Sequence, residues 1–113
     1  MTEKVFQKII KDAQKYIIKF ALKNGWMWFY KMHQKEMVDC ARELLKVYKA
    51  DDKIVIVACW LHDITKYQAK NNKRDINKFH KTHHLDGYEF AKKFLLKYKV
   101  NVEEIEAISQ CVL

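Results

Sequence analysis

A chain of 113 residues with no proline and only two glycines, Gly25 and Gly87, has almost none of the material from which tight turns are made. A β-rich fold draws on both residue types to reverse direction between strands. The expectation is therefore an all-α fold: one domain, built as a bundle of about five main helices. A single chain of this size buries roughly two thirds of its unfolded surface and needs no crosslink to hold a core. Half of the residues are hydrophobic, which excludes a disordered chain. The longest apolar run, 54–61, is eight residues, far short of the roughly 20 that a membrane span requires. The start Met1-Thr-Glu-Lys4 has no signal-peptide pattern. A cytoplasmic protein without a membrane partner is expected.

Apolar spacing then assigns the helices. Val5, Phe6, Ile9, Ile10, Ala13, Ile17, Phe20 and Ala21 recur with helical period, and Gly25 stands where a C-terminal cap belongs. This first helix is basic on its outer face. Residues 26–32, Trp-Met-Trp-Phe-Tyr-Lys-Met, read as an aromatic connector whose rings pack at a helix junction. A second helix spans about 33–48, with Met37, Cys40, Ala41, Leu44, Leu45 and Tyr48 inward. Asp51 or Asp52 caps a third, whose run 54–61 is apolar on every side and so belongs at the centre of the domain. Residues 65–78 form a polar loop with five basic side chains (Lys66, Lys70, Lys73, Arg74, Lys78) and one acid. A fourth helix starts near Thr82 and continues through Tyr98. Asn101-Val-Glu-Glu104 opens a fifth as a capping box, with Ile105, Ile108 and Val112 inward.

Charge and cysteine narrow the partners. The formal net charge is +8, and it is lopsided: residues 1–50 carry 11 basic and 5 acidic side chains, residues 51–113 carry 11 and 9. Such a balance favours anionic partners: nucleic acid, phosphorylated metabolites or a membrane surface. Cys40, Cys59 and Cys111 are odd in number and form no C-x-x-C pair, so they read as buried small hydrophobes in a reducing compartment.

All five histidines fall in three places: His33; His62, beside Asp63; and His80, His83 and His84, close to Asp86. Imidazole with carboxylate suits a divalent transition metal and leaves positions open for water. A carboxylate closing an apolar central helix must be paired or metal-bound. His33, followed twenty-nine positions later by His62-Asp63 in the setting Ala58-Cys-Trp-Leu-His-Asp-Ile-Thr-Lys66, resembles the HD domain, a superfamily of metal-dependent phosphohydrolases. His83-His-Leu-Asp-Gly87 is similar to that family's His-rich helix.

The resemblance, over about residues 30–113, implies a metal-dependent phosphohydrolase acting on a phosphomonoester or nucleotide. It implies His33, His62 and Asp63 as ligands of a divalent ion (Fe, Mn, Zn, Ni, Co or Mg). His83, with His84 beside it, would serve a second metal or the substrate phosphate, and Lys66 would steady Asp63 or a phosphate oxygen. An ion in such a site activates water and, with nearby Lys or Arg, stabilises phosphoryl charge. The family's last ligand, an Asp on a later helix, has no counterpart before Leu113. The expectation is a truncated domain whose uncovered apolar side promotes self-association into a homo-oligomer. The rival reading is a non-catalytic helical module, either a degenerate HD domain or a basic nucleic-acid binder.

Overall fold

The computed structural model describes residues 1–113 and is helical throughout, without a strand. Helix α1 (Glu3–Asn24) is capped by the Thr2 side chain and ends at Gly25, whose φ of 83° is the left-handed conformation that glycine adopts without strain. Its inward stripe is Phe6, Ile9, Ala13, Ile17 and Ala21. Helix α2 is composite: an α turn at Met27–Phe29, a π-helical turn at Tyr30–Gln34 and an α segment at Lys35–Leu45. Helix α3 (Asp52–Leu61) is capped by Asp51 and buries Ile56, Val57, Ala58, Trp60 and Leu61. A 3₁₀ turn (Ile64–Gln68) leads to α4 (Lys73–Leu95), and α5 (Val102–Val112) follows with the capping box of Asn101 and Glu104 complete in both directions.

Helix α3 is the hub, packed against α1, α2 and α5, while the 3₁₀ turn lies between α1 and α4. The reason is compositional: a helix with no polar stripe loses least where every side meets another helix. Polar ties fix the ends. The N-terminal ammonium pairs with Glu104, joining α1 to α5. The Tyr98 hydroxyl donates to Asp12 Oδ2 at 2.6 Å, joining the end of α4 to α1. No helix is long and apolar enough to cross a membrane.

Four expectations are corrected. Within the aromatic stretch 26–32, residues from Met27 onward are helical and form the start of α2, running into the wider π turn, with Trp26 as the N-cap. The inward face of α2 runs through Gln34, Val38, Ala41 and Leu45, leaving Cys40, Leu44 and Tyr48 exposed. The polar loop is short: α4 begins at Lys73, capped by Asn72, whose side chain accepts from the Asp75 amide at 2.9 Å. Lys73, Arg74 and Lys78 therefore lie on its first turns. The cysteines are not core residues either, since Cys40 and Cys111 are exposed and Cys59 is half-buried.

Candidate functional site

The end of α3 supplies the chemistry. His62 still has helical φ and ψ, whereas Asp63 leaves the helix (φ −109°, ψ 19°), and its carbonyl accepts from the Lys66 amide at 2.9 Å to start the 3₁₀ turn. The Asp63 side chain is 15% exposed, while His33 and His62 are each about half exposed. Asp63 Oδ2 lies 3.3 Å from His62 Nδ1 and 3.8 Å from His33 Nε2. The π turn of α2 and the terminus of α3 thus bring three residues together across a gap of nearly thirty in sequence.

This pairing fixes the local electrostatics. Burial pushes the Asp63 carboxyl up, but the His62 contact and the positive charges of His62, Lys66 and His33 outweigh it, and the net shift is downward. The Asp63 contact raises His62 against the opposing effect of burial. Behind them the Tyr67 phenol, fully buried, is pushed up by burial first and by the Asp63 charge second. The carboxylate demanded a partner, and the protein supplies imidazole and ammonium.

Several residues that position this centre were not legible as site residues in the sequence. Phe29 is one. Its ring packs against His33 with centroids 4.7 Å apart, and the Lys66 ammonium sits 4.1 Å from its centroid and 5.1 Å from that of Trp26. The Trp26 indole N–H donates to the Ala69 carbonyl at 2.6 Å, which pins the far end of the 3₁₀ turn. Gln34 is another. Fully buried in the π turn, it donates to the Cys59 carbonyl at 2.9 Å and accepts from the Tyr67 hydroxyl at 3.5 Å. Cys59 is among the last four residues of α3, whose carbonyls have no intrahelical donor, so Gln34 acts as a side-chain cap. The aromatic run was the only available signal in the sequence; the π turn, a feature concentrated at functional sites, is visible only in the structure.

The second histidine group stands apart. His83 and His84 lie in the middle of α4 (Lys73–Leu95), not near its start as the expected beginning at Thr82 would place them. Neither is within ion-pair distance of Asp63; the His83 ring packs on His84 and Phe79, with centroids 3.8 Å and 5.0 Å away. Asp86 accepts from the Thr82 hydroxyl at 2.7 Å within the same helix. What links this group to the centre is Gly87, one turn on. A Cβ there would stand 3.1 Å from Val112 Cγ1 and 3.7 Å from the His62 carbonyl, so glycine lets α4 pass close to the end of α3. On the other flank of His62 an apolar cleft of about 210 Å³ is lined by Met37, Val55, Ala58, Cys59 and Cys111.

The donors His33, His62 and Asp63 fit a divalent ion in kind. Their two spacings bracket the roughly 3.4 Å expected between donors about 2.1 Å from a tetrahedral ion. No three of the His, Cys, Asp and Glu side chains converge on one coordination point.

With this geometry in hand, comparison with known proteins is informative at the family level. The HD domain family matches residues 30–112, from the first residue of the π turn to the last of α5. The chain belongs to the HD domain family, whose superfamily comprises metal-dependent phosphohydrolases. Helix α1 lies outside the matched segment. Neither a search of curated proteins nor one of solved structures gave a match.

Proposed function

We propose that the protein is a phosphohydrolase acting on a phosphomonoester, with a nucleotide as the fitting substrate class, and that His33, His62 and Asp63 hold its divalent ion. The observation that carries this reading is the convergence of both histidines on one largely buried carboxylate at the end of α3. An ion bound there supplies Lewis acidity to a phosphoryl oxygen and lowers the pKa of a bound water. The chain's own residues do the rest. Lys66, held over Phe29 and Trp26, offers positive charge to the phosphoryl oxygens beside Asp63. Phe29 and Tyr67 exclude water behind the carboxylate. His83 and His84, on α4 one turn before Gly87, are assigned to the substrate phosphate or a second ion, supported by the close passage of α4 at Gly87.

The test is metal content and turnover of p-nitrophenyl phosphate and nucleoside monophosphates, after chelation and reloading with each candidate ion. Asp63→Ala and His62→Ala should lose both metal and turnover, and His83→Ala should lose turnover while keeping the first ion. Unchanged metal stoichiometry in the first two variants overturns the assignment.

A further inference from the structure

The outer face of α1 carries a feature that the phosphohydrolase reading does not use. Lys4, Lys8, Lys11, Lys15, Lys19 and Lys23 recur every three or four residues along the helix, and all six are exposed. At 1.5 Å per residue the row is about 28 Å long. Only Lys8 has a carboxylate within ion-pair distance, namely Asp12 at 3.1 Å; none of the other five does. The two acids of α1 are already committed, Glu3 to Lys53 and Asp12 to Lys8 and the Tyr98 hydroxyl. Beside the first turns lies an open groove of about 740 Å³, walled by Thr2, Lys4, Lys8, Lys11, Tyr98 and Lys99. Lysines that merely solubilise a helix are usually interspersed with acids, as Lys31, Lys35, Glu36, Asp39 and Glu43 are on α2.

We propose that this face of α1, with Lys99 at its edge, binds the phosphate backbone of a nucleic-acid duplex without reading its sequence. A row of ammonium groups along one side of a rigid helix, five of the six without a carboxylate partner, matches a regular line of phosphates, and releasing condensed counterions drives the association. The face offers nothing for base stacking: Tyr16, Phe20 and Tyr98 are half-buried, and the Tyr98 hydroxyl is bound to Asp12. It also offers little for insertion into a lipid surface, because Leu22 is the only large hydrophobic side chain of α1 that is strongly exposed. The duplex is the polyanion that remains. The surface lies outside the family-matched residues and is independent of the metal site.

Fluorescence anisotropy of a labelled 24-bp duplex (a length set by the row of about 28 Å plus flanks) tests it, titrated with the full chain across salt. With about five lysines engaged, affinity should fall roughly 500-fold between 50 and 200 mM salt. Lys4→Gln/Lys11→Gln/Lys15→Gln should weaken binding at low salt and make the log–log salt slope shallower by about 2.7. These side chains are exposed and have no carboxylate partner, so thermal unfolding should be unchanged. The control Lys35→Gln/Lys46→Gln/Lys49→Gln removes the same charge from elsewhere and should bind like the parent. Equal weakening in both triple variants, salt-insensitive or absent duplex binding, or preference for a single strand or for phosphatidylserine vesicles would each overturn the proposal.

Discussion

Replacing Phe29 with leucine isolates the support of the candidate site from its chemistry. Leucine keeps an apolar side chain of comparable bulk but removes the aromatic face. The Lys66 ammonium, 4.1 Å from the ring centroid, then loses a cation–π contact of about 0.5–1 kcal/mol for a partly exposed pair. The His33 ring at 4.7 Å and the Tyr67 ring at 5.8 Å lose aromatic pairing of about 0.5–1 kcal/mol together. The expected total is about 1–2 kcal/mol, or roughly 4–8 °C in Tm for a domain of this size. A double-mutant cycle with Lys66→Met, read by urea unfolding of metal-free protein, separates the two parts. The coupling between positions 29 and 66 should be about 0.5–1 kcal/mol. If the two single effects simply add, Lys66 is not held by the ring, and its placement toward a phosphate loses its structural reason.

Gln34→Leu should lower stability by about 2–3 kcal/mol with an unchanged m value, because the Cys59 carbonyl and the Tyr67 hydroxyl are left unpaired in a dry core. Wild-type urea midpoints would mean the amide is dispensable. Gly87→Val should cost about 1–3 kcal/mol by forcing α4 away from Val112 and the His62 carbonyl, and should move the His62 ring signals in NMR spectra; unmoved signals would separate α4 from the site. In metal-free protein Asp63 titrates below its ordinary 3.8 and His62 above its ordinary 6.5. The Asp63 contribution to stability is present above pH 3.8 and lost as pH falls through its folded pKa; that of His62 is complete below pH 6.5 and lost as pH rises through its folded pKa. Asp63→Asn should therefore remove stability most in the window between these values and bring the His62 titration down in pH, as measured by NMR in the presence of a chelator.

The parts of the fold that could be read from the chain were those with a strong local signal. The stripe of α1, Gly25, the all-round apolar run of α3 and the capping box at Asn101 each state their conformation within a few residues. The π turn could not be read in this way. Its stability comes from the Gln34 amide reaching Cys59 and Tyr67, partners more than twenty residues away, and aromatic residues at 26–30 carry weak helix preference of their own. The start of α4 was hidden for a related reason: Asn72 is a good N-cap, but Lys73, Arg74 and Asn77 on a solvated face look like loop, and only Ile76 and Phe79 hint at an inward side. At the site, His62-Asp63 and His33 were legible as types at a spacing. Phe29 and Gln34 were not, because an aromatic or an amide announces a supporting role only once its neighbours are known.

The location of Asp63 follows from a conflict that the sequence of α3 creates. An apolar helix at the hub of a bundle excludes water, and a carboxylate placed within it would be costly to ionise. Placed one residue past its end, the same carboxylate remains 15% exposed and keeps its charge, because three cationic or protonatable groups surround it. The arrangement satisfies Asp63 without an ion, and under the proposed metal site it would also set the terms on which an ion enters. As a ligand of that ion His62 would have to give up a proton whose affinity Asp63 has raised, so cation binding and protonation of His62 would compete for one site. Asp63 Oδ2, already stripped of most of its water, gains the most from a divalent charge. If the proposed ion binds there, the pairing that stabilises the metal-free protein is the one it would replace.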